Sequence, residues 1–356
     1  MVKLAFALTA LFAFYSFTAR AASPVISRYA LSHASEQELR DVAGVFGLEH
    51  RRGETYEVDI PAQQSALLLA LAPRAELLAA DESAALRSRA RSFVRGADGA
   101  GYHTLNQVQG WMHTYASERA DLVHLIDYGV SAEGRKLTAL HLAPASSAGK
   151  PAVMITAATH GDELITTEVL MDLVDHLVKG YGQDTRLTKL VNTHDLYFIP
   201  VLNPDGFAET NRYDGNQDPN RSYPYPGHEN AVPSPSIAGV MHFFESLDLK
   251  ASLDFHAYGQ LTMYPWAYTH EGIDAASHAR FDALTEHMAE ANHYTYGPIS
   301  DVIYVAPGSS ADYYYWKKAA LSIAIEIGQE KIPDPSEFPA YFASQQESTW
   351  RFLEGI

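Results

Sequence analysis

Met154-Ile155-Thr156-Ala157-Ala158-Thr159-His160-Gly161-Asp162-Glu163 is the stretch on which the fold of this chain turns. Residues 151–157 are a short apolar run and read as a buried strand. Ile165, Val169, Leu173 and Leu177 then repeat with the 3.6-residue period of an amphipathic helix packed on that strand. His160 therefore falls at the carboxyl end of the strand, and Glu163 opens the helix. Ligands bind along that edge of an α/β sheet, because loops and helix N-termini converge there. An imidazole and a carboxylate three positions apart can reach one metal ion at such a place. The spacing alone fits equally a loop histidine and a glutamate that stabilises a helix N-terminus, so the rest of the chain decides.

Outward from this stretch the pattern alternates. Helices are expected at 106–120, after Asp162, and near 235–247, 275–291 and 340–353, and strands at 123–128, 136–142, 195–202, 250–255 and 320–327. A loop of about thirty residues follows the strand at 195–202. Such alternation predicts an α/β fold with a central mixed, mostly parallel sheet covered by helices on both faces. Residues 24–80 read as a separate small α+β unit of order β-α-β-α-β. Its first helix opens on the capping box Ser35-Glu36-Gln37-Glu38. Between the two lies 81–101, with Arg87, Arg89, Arg91 and Arg95 ahead of a glycine-rich run, a connector suited to a trypsin-like protease. The expected units are a leader at 1–21, a prodomain-like unit with its linker helix at 22–95, and a catalytic domain at 96–356.

Composition narrows the function. The net charge of the 356 residues is −17, which speaks against a nucleic-acid partner, since phosphate binding needs clustered cations. The charge divides unevenly. Residues 1–95 hold eleven Lys and Arg against ten Asp and Glu, and residues 96–356 hold fifteen against thirty-three. Lys3, the apolar run 4–17 and Ala19-Arg20-Ala21 have the order of a secretory leader. The run is too short for the ~18 apolar residues that usually span a bilayer, so a secreted or periplasmic protein, off the membrane once the leader is removed, is expected. With no cysteine, stability rests on core packing and metal ligands come from His, Asp and Glu.

Four strand ends carry polar chemistry. His256 follows the strand at 250–255, Glu326 ends Ile323-Ala324-Ile325-Glu326, Asn203-Pro204-Asp205-Gly206 follows 195–202, and the long loop holds Arg212 and Asp218-Pro219-Asn220-Arg221. Two histidines and a carboxylate around an open position make a catalytic zinc site, in which bound water has a pKa near ~7. His160, Glu163 and His256 fit that set. Asp218 is the candidate carboxylate behind a zinc-bound histidine. Glu326 is the candidate general base, a carboxylate costly to place at the end of a buried strand without a purpose.

In these residues the chain resembles the zinc carboxypeptidases of the M14 family. His160-Gly161-Asp162-Glu163, Asn203-Pro204-Asp205-Gly206, Asn220-Arg221, His256, Tyr304 and Glu326 recur in the family's order and approximate spacing from Tyr102 to the C-terminus. Residues 24–95 resemble the family's activation segment. The resemblance implies one zinc ion held by His160, Glu163 and His256, with Glu326 moving the proton from water to the leaving amine and Arg212 stabilising the oxyanion. It implies that Asn220, Arg221 and Tyr304 grip the free C-terminal carboxylate of a peptide substrate, for which a guanidinium fork has bidentate geometry. Aligned on the family, Met263, Ala267, Ile299, Ala311 and Ala324 line the side-chain pocket, without an acidic residue at Ala311, and Asp254 lies near its floor either as a specificity residue or as a structural carboxylate.

Asp162 departs from the family, whose pancreatic members carry an arginine there that touches substrate upstream of the scissile bond. A monomeric exported carboxypeptidase with a preference for apolar or aromatic C-terminal residues is expected. The alternatives are a hydrolase of cell-wall peptides cutting next to diaminopimelate and a non-catalytic peptide-binding protein.

Overall fold

The computed structural model describes residues 24–48, 50–52, 54–96, 101–144 and 149–356. The expected leader and residues 97–100 of the expected linker lie outside these. Among the described residues the N-terminal unit contributes β1 (Ile26–Ser32), β2 (His50–Arg52), β3 (Thr55–Pro61) and β4 (Glu76–Ala79), in the antiparallel order β2-β3-β1-β4. Three strands are expected there, and β2 is the addition. Three residues at a sheet edge carry no alternation of their own and form only because β3 offers backbone partners. The capping box is present, with Ser35 Oγ accepting from the Glu38 N–H at 3.3 Å and Glu38 Oε2 accepting from the Ser35 N–H at 2.7 Å. It starts the helix Glu36–Phe46, whose Val42, Ala43 and Phe46 pack on Val58 and Ile60 of β3.

The larger unit contributes β5 (Val123–Val130), β6 (Lys136–Leu142), β7 (Ala152–Thr156), β8 (Asp195–Ile199), β9 (Leu249–His256), β10 (Leu261–Tyr264), β11 (Thr295–Pro298) and β12 (Leu321–Glu326). Their order is β11-β10-β12-β9-β7-β8-β6-β5. Pairing is parallel for β10 with β11, β12 with β9, β7 with β9 and β7 with β8, and antiparallel for β10 with β12, β6 with β8 and β5 with β6. The sheet is thus mixed and mostly parallel, as the alternation predicts. The four-residue strands β10 and β11, and the helices Thr185–Thr193 and Ser310–Lys318, lie outside the sequence expectation. The expected thirty-residue loop contains the short helix Pro204–Glu209 and a 3-10 turn at Pro219–Arg221.

The two-residue period of the central strands sorts side chains onto two faces. Val153 and Ile155 of β7, Leu253 and Phe255 of β9, and Ile323 and Ile325 of β12 enter one apolar cluster, filled also by Ile165, Val169, Leu173 and Leu177 of the helix Leu164–Gly180. The helices Ala275–Asn292 and Phe338–Glu354 cover the same face through Phe281, Met288, Trp350 and Phe352. The opposite face is covered by the helices Pro235–Ser246 and Ser310–Lys318, through Ile237, Val240, Phe244, Tyr313 and Tyr314. By the same period Asp254, His256, Ala324 and Glu326 alternate away from the first cluster. In the parallel register Ala324 pairs with Asp254 and Glu326 with His256. No helix among the described residues is long and apolar enough to cross a membrane.

Phe255 is fully buried between Asp254 and His256. A Phe255→Ala variant is expected to lose ~3–5 kcal/mol of stability through transfer and cavity costs, read as a lower denaturant midpoint at unchanged slope.

Candidate metal centre and active-site cleft

His160 and Glu163 lie in the turn between β7 and the helix Leu164–Gly180, and His256 ends the neighbouring β9. The turn closes tightly because residue 161 is glycine. A Cβ there would stand 2.1 Å from the Gly206 carbonyl carbon and 2.6 Å from the Asn211 oxygen. All three side chains are buried, and their ligating atoms lie within 4.8 Å of one another. His160 Nδ1 is 2.7 Å from Glu163 Oε1, His256 Nδ1 is 3.1 Å from Glu163 Oε2, and the two Nδ1 atoms are 3.2 Å apart.

The outward nitrogens have partners of their own. His160 Nε2 meets Asp218 Oδ1 at 3.1 Å, and His256 Nε2 meets Asp254 Oδ2 at 3.1 Å. With each Nε2 hydrogen donated to a carboxylate, each Nδ1 turns a lone pair inward. Two lone pairs and a carboxylate facing one another in a buried space repel unless a cation lies between them. His, His and Glu are a donor set suited to zinc, and outer carboxylates are what orient zinc-binding histidines. The residues therefore fit a zinc ion.

The electrostatics agree. Burial and Arg212 press the His160 pKa down, but Glu163 and Asp218 outweigh them and raise it, and at His256 burial is outweighed by Asp254 and Glu163. Burial likewise favours the neutral form of Glu163, yet positive charge on the two imidazoles, a proton standing where a metal cation would, holds its carboxyl far below the ordinary range. The site is thus an anionic pocket that draws positive charge.

Asp218 is positioned as the sequence suggests, and it also anchors Arg212, accepting from Nε at 3.0 Å and from Nη2 at 2.8 Å. Arg212 Nη1 lies 3.3 Å from His160 Nδ1 and 3.8 Å from Glu163 Oε1. Asp254 accepts from Thr156 Oγ1, Thr159 Oγ1 and Ser310 Oγ at 2.7, 3.0 and 2.8 Å in addition to its contact with His256. Its place behind His256 is not visible in the sequence. The signal available, Asp254 two residues before His256 on one strand face, gains meaning only with the pairing of β7, β9 and β12.

The structure brings the remaining candidates into one cleft. Glu326, Asn220, Arg221 and Tyr304 line it together with His160, Glu163 and Arg212. Arg221 Nη2 donates to the Tyr304 hydroxyl at 2.7 Å, and Asn220 Oδ1 accepts from the Ser310 N–H at 2.9 Å. Beside the cleft, Met263, Ala267, Ile299, Ala311 and Ala324 form one buried apolar cluster with Ala306. Tyr304 stands at its edge. Asp312 fixes one wall by accepting from the N–H groups of Ala267 and Tyr268 at 2.7 and 2.8 Å.

The N-terminal unit covers the cleft. Leu48 lines it beside the metal-site residues, and the remaining cavity is about 30 Å³. Gly47 precedes Leu48 with φ at +73°, and a Cβ at that position would stand 2.8 Å from Arg221 Nε. Pro24 O accepts from Asn211 Nδ2 at 2.9 Å, Asp59 O accepts from the Tyr213 hydroxyl at 3.2 Å, and Lys331 Nζ donates to Asp59 Oδ2 at 3.2 Å. The linker helix Glu82–Ser92 joins the larger unit through Arg89, whose Nε donates to Ile332 O at 2.5 Å. Its far end is pinned by hydrogen bonds from the N–H groups of Arg95 and Tyr102 to Tyr102 O and Phe93 O, at 2.8 and 2.7 Å.

Comparison with known proteins places this geometry. The family model for zinc carboxypeptidase, peptidase M14, matches residues 108–348. Mouse carboxypeptidase A2 is 28% identical over 278 residues, 68% of this chain and 65% of that protein, and duck (Anas platyrhynchos) carboxypeptidase D is 24% identical over 290 residues, 72% of this chain and 21% of that protein. The matches thus span less than two thirds of either relative's own length. The carboxypeptidase A of Helicoverpa armigera shares the fold with a TM-score of 0.76 at 18% identity, over 94% of this chain and 98% of that one. Thrombin activatable fibrinolysis inhibitor does so with a TM-score of 0.72 at 17% identity, over 93% and 98%. With most of its residues, 108–348, matched by the family's model, the chain belongs to the zinc carboxypeptidases of peptidase family M14.

Proposed function

We infer that the chain is an exported zinc carboxypeptidase that removes C-terminal residues, with apolar or aromatic side chains preferred, and that residues 22–95 hold it inactive until they are cut away. The observation that carries this reading is the inward convergence of His160 Nδ1, His256 Nδ1 and the Glu163 carboxylate in the same cleft as Glu326, Arg212 and Arg221. His160, Glu163 and His256 would hold zinc, and the chemistry it would supply is that of a Lewis acid for the scissile carbonyl and for water near neutral pH.

The chain's own residues do the rest. Glu326 takes the proton of the attacking water and delivers it to the amine as the C–N bond breaks. Arg212, fixed by Asp218, faces the negative charge developing on the carbonyl oxygen. Arg221 and Asn220 hold the substrate's terminal carboxylate, with Tyr304 closing on it. The buried apolar cluster of Met263, Ala267, Ile299, Ala311 and Ala324, with Tyr304 at its edge, receives the terminal side chain. Its apolar walls favour Phe or Leu over the charged diaminopimelate side chain. Asp254, surrounded by three hydroxyls and His256, serves the histidine rather than a basic substrate. Support for inhibition by the N-terminal unit is Leu48, which leaves room for water and not for a peptide. The exposed Arg89 and Arg91, with Arg95 beside them, offer the cutting sites.

Blocked dipeptides ending in Phe with a free carboxylate are expected to be cleaved after limited trypsin treatment, and cleavage is lost on amidation of the terminus and on chelation. A zinc-loaded chain inert to all such peptides before and after trypsin would sink the enzyme reading. Glu326→Gln is expected to lower kcat by ~10²–10⁴-fold with zinc content unchanged, measured by single-substrate kinetics beside metal analysis. Asp254→Ala is expected to weaken zinc ~10–100-fold in competition with a chromogenic chelator. A changed preference for Arg termini at unchanged zinc affinity would instead make Asp254 a specificity residue.

A further inference from the structure

Lys331 is a buried lysine, 3% exposed, whose Nζ reaches two carboxylates from different units, Asp162 Oδ2 at 2.9 Å and Asp59 Oδ2 at 3.2 Å. Asp162 immediately precedes the zinc-ligand candidate Glu163, and Lys331 O accepts from the Ile165 N–H at 3.3 Å. The ammonium is therefore fastened to the turn that carries the metal site. Asp59 belongs to β3. With Glu57 it projects from the side of the strand opposite Val58 and Ile60, which fill the N-terminal unit's own core. Glu57 Oε2 lies 3.5 Å from the hydroxyl of Tyr258, two residues beyond His256. The β3 strand thus lays Asp59 on the lysine fastened to the metal-site turn and Glu57 beside Tyr258, while Gly47 and Leu48 stand at Arg221 and the cleft.

An extended segment with a carboxylate on a lysine beside the metal ligands has the form of a bound substrate. Asp59 also has a cation of its own unit, Arg28, which donates from Nε and Nη2 at 2.7 Å each and faces Glu82 and Glu57 at 3.0 and 3.8 Å, so this cluster leaves together with the N-terminal unit. What stays behind is Lys331 with Asp162. An ammonium has three N–H donors, and departure of Asp59 turns one of them toward the depression that Lys331 lines with Tyr258, two residues beyond His256.

We propose that, once the N-terminal unit has left, Lys331 forms a cationic subsite that selects an acidic side chain upstream of the scissile bond, the position Asp59 fills in the intact chain. The substrate class is then a peptide with an apolar C-terminal residue preceded by Asp or Glu. This rests on the carboxypeptidase reading above.

The test uses zinc-loaded chain cut with trypsin and separated from its N-terminal unit, and peptides ending in Phe that carry Glu or Gln at successive positions before the scissile bond. At one position Glu is expected to exceed Gln about tenfold in kcat/KM, the gain of a charge-assisted hydrogen bond. The ratio falls to near one in Lys331→Met and is retained in Lys331→Arg. Asp162→Asn, which releases Lys331 from its internal partner, is expected to raise the ratio. Kd values for the same peptides on the Glu326→Gln protein report the subsite without turnover. Equal Kd for Glu and Gln peptides, or a preference that survives Lys331→Met, overturns the subsite. Discrimination in Kd with no cleavage of any peptide by the parent protein overturns the carboxypeptidase reading and leaves the subsite standing.

Discussion

Two imidazole nitrogens 3.2 Å apart, both against one buried carboxylate, are the constraint on which the structure around the cleft depends. Such an arrangement repels itself unless the rings are held from behind and positive charge is supplied in front. Asp218 and Asp254 do the holding, and each is itself held, the first by Arg212 and the second by three hydroxyls from β7, the turn after it and the helix Ser310–Lys318. Residues from five segments of chain thus converge on three ligating atoms. The fold answers this by pairing β7, β9 and β12 in parallel, so that their carboxyl ends meet at one edge.

The same edge explains the relation between the two units. A catalytic edge is rich in groups that need partners, and the N-terminal unit supplies them: Asp59 for Lys331, Glu57 beside Tyr258, a backbone carbonyl for Asn211 and Leu48 for the cleft. The contact mixes these polar groups with apolar ones, Leu48 at the cleft and Leu86, Ala90 and Phe93 on the core of the larger unit. Buried ion pairs bring little net stability, while loss of one partner leaves an uncompensated charge. Burial raises the Asp59 carboxyl, and Lys331 and Arg28 overcome this to keep it charged well below the ordinary range.

Much of the site is legible in the sequence because strand ends are. His160, His256 and Glu326 each follow an apolar run, and a polar group in that position is expensive without a role. The helix Leu164–Gly180 is legible because its apolar period extends over more than three turns. β10, β11 and the helix Ser310–Lys318 are not. The strands are four residues long, and the helix buries Ala311, Tyr313 and Tyr314 while exposing its lysines, a pattern tyrosine renders ambiguous because it serves core and surface alike. Asp254 is a further case, since either a pocket floor or a histidine partner satisfies its spacing until the neighbours are placed.

By itself the sequence determined the α/β alternation and the two sheet-bearing units, and it singled out His160, Glu163 and His256, which the fold brings together, and Glu326, which lines the same cleft; each rests on local periodicity or on a polar residue at a strand end. Only the tertiary structure decided that Asp254 stands behind His256, that Leu48 enters the cleft, and that Lys331 joins Asp162 to Asp59. Asp254 is only two residues from His256, but the hydroxyls that aim it come from Thr156, Thr159 and Ser310, and the other contacts likewise link residues tens to hundreds of positions apart; strand register and charge neutralisation in a buried space decide them, and neither leaves a local mark on the chain.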